Sequence, residues 1–147
     1  MEKIIEIKIM KSITVFCGSS FGSEEIYKEQ AVLLGQTLAK QNIQLVYGGA
    51  NVGLMGAVAD GYGTLEEFFE MITWAQLGLH KKPIAILNIN GFYDDLIKLV
   101  QNMVDKGFLK QINQEMLLAS DSIDELLEKM KNYRAPSVGK WISKEEV

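Results

Sequence analysis

The chain has 147 residues, 48 % hydrophobic and 23 % charged, with a net charge of −4; this fits one domain with a real core and argues against disorder. Arg134 is its only arginine and Cys17 its only cysteine, which excludes a broad nucleic-acid surface, an internal disulfide and a cysteine-based metal cluster. No apolar stretch approaches bilayer length, and Glu and Lys interrupt the start MEKIIEIKIMKSITVF, so neither a membrane partner nor a signal peptide is expected and the cytoplasm is the expected compartment.

In chain order, Ser12–Phe16 is a β-branched run entering the loop Cys17-Gly18-Ser19-Ser20, the pattern of a strand end. Tyr27, Ala31, Leu34 and Leu38 then fall on one face of a helix over 24–41. Gln44–Tyr47 reads as a second strand, running into Gly48-Gly49-Ala50-Asn51-Val52-Gly53, with a short helix through Met55 and Val58. Helical spacing resumes at Thr64, with Leu65, Phe68, Phe69 and Ile72 on one stripe and Gly78 as the end signal. Pro83–Leu87 is an almost wholly apolar strand, Asn88–Gly91 a loop, and two helices follow, one through Leu96, Leu99, Val100 and Met103 and one after Ser122. From about Asn132 the tail reads as loose. Alternating strands and helices predict one α/β domain over 1–147: Rossmann-like and doubly wound, with a mostly parallel sheet and helices on both faces. Ligands of such sheets sit beyond the carboxyl ends of the strands, where the glycine loops fall.

Three loops are candidates for holding a phosphate: Gly18-Ser19-Ser20, Gly48-Gly49 through Gly53, and Gly61-Tyr62-Gly63-Thr64. Glycine lets backbone N–H groups approach an anion, and Ser19, Ser20 and Thr64 add hydroxyl donors. An acidic chain can still bind one phosphate this way, because a helix N-terminus supplies local positive potential. Thr64 and Glu67 also have the spacing of a capping box, which would account for both residues without chemistry. Beside a phosphate loop, an ionised Glu67 could instead orient a ribose or stabilise positive charge on it. Tyr62, Trp74, Phe92 and Tyr93 are candidates for stacking on a base. The lone His80 reads as a surface or capping group, Cys17 as a small buried residue, and no metal site is expected.

Together CGSS (17–20), the helix through Tyr27, Ala31 and Leu34-Gly35, YGGANVGLMGAVAD (47–60), GYGTLEE (61–67) and ITWAQLGLHKKPI (72–84) closely resemble the LOG ("Lonely Guy") family. The likeness continues through LNINGFYDDLIKLV (87–100) and Gly107-Phe108 to Leu127. The resemblance implies hydrolysis of the N-glycosidic bond of cytokinin riboside 5′-monophosphate, or of AMP, giving free base and ribose 5-phosphate. It implies no cofactor, and a homodimer or larger homo-oligomer. The family signature PGGxGTxxE falls on residues 59–67, which makes Glu67 the catalytic glutamate; Ala59 and Asp60 replace its Pro and first Gly. Gly18, Ser19, Ser20, Gly49, Gly53, Met55, Gly61, Tyr62, Gly63, Thr64, Glu66 and Thr73 form the implied substrate-binding set.

The family also places a catalytic arginine ahead of this signature, whereas here no arginine precedes Arg134. GYGTLEE directly follows the helix ending near Asp60, with no apolar strand between, although a phosphate-gripping helix is ordinarily fed by one. The resemblance puts about 50 residues there, enough for a βαβ-sized piece, so a segment is expected to be missing between Ala59 and Tyr62. If it is absent from the protein, the alternative is a nucleotide-binding module without turnover. A decarboxylase would need a buried lysine for pyridoxal phosphate, and Lys81 and Lys82 do not suit that role. A dinucleotide oxidoreductase would need G-x-G-x-x-G after the first strand, and it is not there.

Overall fold

The structure, a computed structural model, describes residues 9–17, 22–46 and 62–137. Gly18, Ser19, Ser20, Gly49, Gly53, Met55 and Gly61 lie outside the described residues, as do the expected short helix through Met55 and Val58 and the join between Ala59 and Tyr62.

Strand β1 (Ser12–Thr14) pairs in parallel with β2 (Gln44–Val46), Ser12 opposite Gln44. Helix α1 (Glu25–Lys40) connects them, burying Ala31 and Leu38 of its expected face. A second parallel pair joins β3 (Ile84–Leu87) to β4 (Leu117–Ser120), Ile84 opposite Leu117. Between these pairs runs α2 (Tyr62–Gln76); α3 (Asp94–Asp105) and the short α4 (Gln111–Gln114) cross from β3 to β4, and α5 (Ile123–Asn132) closes the described chain. The molecule is therefore α/β with parallel strands, compatible with a Rossmann-like fold.

Three helices stop in the same way. Asn42, Gly78 and Gly107 take φ of 53°, 76° and 78°. Beyond each, an N–H bonds back to a carbonyl in the helix: Ile43 to Leu38 at 2.9 Å, Leu79 to Trp74 at 2.9 Å and Phe108 to Met103 at 2.8 Å. This left-handed stop satisfies the last carbonyls and favours Gly or Asn. His80 completes the end of α2, its Nε2 donating to the Met71 carbonyl (2.9 Å) while Nδ1 accepts the Lys82 N–H (3.1 Å). It is a capping group.

The core gathers Leu38, Ile43, Leu87, Ile89, Ile123, Leu126 and Leu127, with Met10, Ile13 and Leu34 packed partly buried against it. Four features differ from the sequence expectations. Strand β4 and helix α4 read as neither strand nor helix in sequence. Helix α2 begins at Tyr62, so Thr64 is its third residue and does not stand in the cap position that a capping box requires. Phe69 is 41 % exposed, because Met71 and Ala75 take the inward stripe with Leu65 and Phe68. The tail is anchored at its start, with Tyr133 buried.

Candidate functional site

Helix α2 carries two stripes. Thr64, Leu65, Phe68 and Met71 face inward, whereas Gly63, Glu66, Glu67, Glu70, Thr73 and Trp74 are exposed. Seven residues make almost two turns, so Thr73 lies on the face of Glu66 and Trp74 on that of Glu67. The helix thus offers one solvent-facing surface that combines three carboxylates, a hydroxyl and an aromatic ring. Tyr62 opens the helix. A Cβ on Gly63 would meet nothing within 4 Å among the described residues. Packing therefore does not require glycine at a helical position where it costs about 0.5–1 kcal/mol relative to alanine.

Glu67 is tied electrostatically to the end of β1. Burial, and after it the Glu67 carboxylate, pushes the Cys17 thiol above its ordinary value. A thiol raised in this way is a poor nucleophile at neutral pH. Cys17 itself is half-buried, less covered than the small buried residue expected. The same coupling sets Glu67 within electrostatic reach of Cys17, 50 residues earlier in sequence.

The other two stacking candidates belong elsewhere. Phe92 packs edge-on against Tyr27 and Tyr93, with ring centroids 5.9 and 5.0 Å apart. A polar hollow that sequence reasoning missed opens where β3 and β4 end, bordered by Asn88, Asn90, Asp94, Ser120 and Asp121. Its side chains mostly serve the fold. Asn88 Nδ2 donates to Asp94 (2.8 Å), its oxygen accepts the Tyr93 N–H (2.7 Å), and Asn90 Nδ2 donates to Glu24 across to α1 (3.0 Å). The signal was the pair Asn90-Gly91, whose φ values of 52° and 71° make a tight left-handed turn.

Comparison with known proteins decides the family. The family model described as "Possible lysine decarboxylase" matches residues 47–130. The chain is 34 % identical to cytokinin riboside 5′-monophosphate phosphoribohydrolase LOG1 of Arabidopsis thaliana over 178 positions, covering 84 % of each chain. The chain belongs to the LOG family. LOG7 of the same plant is also 34 % identical, covering 84 % of this chain and 82 % of its own. The probable LOGL2 enzyme of Oryza sativa subsp. japonica is 33 % identical over 189 positions, covering 91 % of this chain and 77 % of its own.

These alignments are longer than the part of this LOG-family chain that they cover. Eighty-four per cent of 147 residues is about 123, so about 55 of the 178 positions stand opposite gaps in this chain. Ninety-one per cent is about 134, which leaves about 55 of the 189 positions of the rice alignment opposite gaps as well. The excess stays constant while the aligned length changes, so it falls within the stretch that the two alignments share.

Proposed function

We propose that this LOG-family chain binds a nucleoside 5′-monophosphate, cytokinin riboside 5′-monophosphate or AMP, and hydrolyses its N-glycosidic bond to free base and ribose 5-phosphate. The observation that carries the reading is Glu67: exposed, in the opening turns of α2, and close enough to Cys17 to act on its thiol. The amides opening α2 at Tyr62, Gly63 and Thr64, with those of Gly61 and of Gly18, Ser19 and Ser20, would receive the phosphate on the positive end of the helix dipole. Gly49, Gly53 and Met55 complete the nucleotide-facing set, and Glu66, Thr73 and Trp74 extend it along the exposed stripe of α2.

In the reaction a water oxygen bonds to C1′ as the C1′–N bond breaks. The bonding electron pair leaves with the base, which takes up a proton. Positive charge builds on the ribose meanwhile, and the Glu67 carboxylate stabilises it and orients the water. A homodimer is the assembly we propose, and sedimentation of the full chain checks it.

Incubation with AMP and with isopentenyladenosine monophosphate, followed by analysis for released base, tests the activity. Glu67→Gln should lower turnover by about 100-fold or more while leaving AMP affinity within a few-fold. Gly63→Ala should raise stability by about 0.5–1 kcal/mol and weaken AMP binding, since the added methyl stands where the phosphate would approach. Folded protein that releases no base rejects the hydrolase reading. One observation favours a second reading, binding without turnover: no arginine precedes Arg134, whose guanidinium bonds the Tyr133 carbonyl at 3.2 Å. Calorimetry with AMP beside the base-release assay separates the two readings.

A further inference from the structure

Glu24, the residue that caps α1, stands four residues beyond Ser20. Helix α1 therefore opens directly after the first of the loops proposed to receive phosphate. Two carboxylates stand at this opening, Glu24 and Glu25. The positive pole of a helix ordinarily draws such groups towards its own unbonded amides, where they would compete with a phosphate. Glu25 pairs instead with the Lys28 ammonium at 3.3 Å. Glu24, on extended backbone, makes no side-chain bond to the turn that it caps.

The Glu24 carboxylate is held elsewhere, by both of its oxygens. Oε2 accepts a hydrogen bond from Asn90 Nδ2 at 3.0 Å, and Oε1 accepts one from the Tyr27 hydroxyl at 3.3 Å. The Asn90 bond spans 66 residues and comes from the loop that leaves β3. That loop is built to present the amide. Asn90 and Gly91 take left-handed φ of 52° and 71°, a conformation that asparagine tolerates better than most residues. Asn88 braces the turn through Tyr93 and Asp94, and Asp94 packs so close that a Cβ on Gly91 would stand 3.0 Å from its Oδ2. Phe92 sets its ring edge-on against Tyr27. The Tyr27 ring in turn lies 3.4 Å from where a Cβ on Gly22, two residues beyond Ser20, would stand.

A tie between loop and helix needs less than this. The Tyr27 and Phe92 rings already join the two, and Asn90 is exposed, where one side chain ordinarily adds little to stability. What the Asn90 amide adds is a donor to a carboxylate. It gives a negative charge a fixed place beside a loop that is to accept an anion.

We propose that Asn90 is a positioning residue for the nucleotide phosphate: its amide holds the Glu24 carboxylate on the loop that leaves β3, out of competition with the phosphate. The inference rests on the proposed binding of a nucleoside 5′-monophosphate and not on its hydrolysis. Asn90 acts through Glu24. Once released, the carboxylate is drawn to the α1 opening by the helix dipole and meets the phosphate as a like charge.

The test is calorimetry with AMP and with adenosine on the full chain carrying Glu67→Gln, so that the ligand is not consumed. Four proteins form a cycle: that background, Asn90→Gly, Glu24→Gln and the two together. Glycine removes the donor, keeps the left-handed turn without strain and changes no charge. Asn90→Gly should weaken AMP binding about two- to fivefold, the range of one charge at a helix end, and leave adenosine binding unchanged. Glu24→Gln alone should change neither, and in the double variant it should return AMP affinity to that of the background. The loss should also fade in high salt.

A loss that adenosine shares, or one that Glu24→Gln does not repair, overturns the proposal and leaves Asn90 a tie between loop and helix. Additive effects overturn it as well, because the carboxylate would then repel phosphate wherever it is held. Unchanged AMP affinity in Asn90→Gly overturns it while the nucleotide reading stands. Folded background protein that binds no AMP brings down the nucleotide reading, and this inference with it.

Discussion

The two strand pairs are built of similar residues and end in different states. In the β3–β4 half, Ile86 and Leu87 are buried, and α5 lays Ile123, Leu126 and Leu127 into the same core cluster as Leu87. In the β1–β2 half every residue of β2 is exposed, Leu45 at 37 % and Val46 at 43 %, and of β1 only Ile13 is partly covered. The difference does not come from hydrophobicity, since QLV is hardly less apolar than LLAS. It comes from cover: β4 is followed by a helix that returns over its own sheet, whereas no strand is described between β2 and α2. Parallel strands are ordinarily covered on both faces, and among the described residues the β3–β4 half has more of that cover than the β1–β2 half.

The largest expected effect follows directly. Leu127, 3 % exposed, should cost about 2–5 kcal/mol on replacement by alanine, through lost burial and the cavity left behind. Leu45→Ala should stay within about 0.5 kcal/mol, as exposed substitutions do. Urea unfolding of the two variants measures both. Equal losses would break the comparison, because they would mean that β2 is covered in solution.

The same contrast explains what could be read from the sequence. Helices α1, α3 and α5 were legible because their apolar spacing survives into packing, as with Ala31 and Leu38 of α1. So were the stop at Gly78 and the capping role of His80. Strand β4 was not legible, because Leu117-Leu118-Ala119-Ser120 has no strand signature of its own and becomes a strand only by pairing with β3. The start of α2 was misplaced because Gly61-Tyr62-Gly63 carries turn composition, which two further residues of helix override. At the candidate site, Gly63-Thr64 fall in the first turn of α2, the helix that we propose holds the phosphate. That Glu67 lies near Cys17 is a tertiary fact with no local sequence signal.

A smaller effect sharpens the comparison at the helix starts. Ser122 caps α5 by accepting the Glu125 N–H at 3.4 Å, whereas Glu24 at the start of α1 makes no side-chain cap bond. Ser122→Ala should cost about 1 kcal/mol, and Glu24→Ala, which loses only exposed contacts to Tyr27 and Asn90, should stay within about 0.5 kcal/mol. Thermal melting of the pair shows whether the better-covered half also depends more on its local devices.

The smallest effect is electrostatic and tests the same end of α5. Glu125 receives a hydrogen bond from Lys129 (2.6 Å) and one from the Ser120 hydroxyl (2.7 Å). Foremost the Lys129 bond, and then the Ser120 bond, hold its carboxyl below the ordinary 4.5. Because the folded value is the lower one, the unfolded chain binds more protons in this range. The stabilisation is present above about pH 4.5 and disappears as pH falls through the depressed value. Glu125→Gln should therefore be less stable than the parent at neutral pH, and the gap should close on acidification and narrow in high salt, since the pair is exposed to solvent. A gap that persists unchanged below the depressed value would show that glutamine disturbs the Ser120 bond that ties β4 to α5, and that geometry rather than charge holds this corner together.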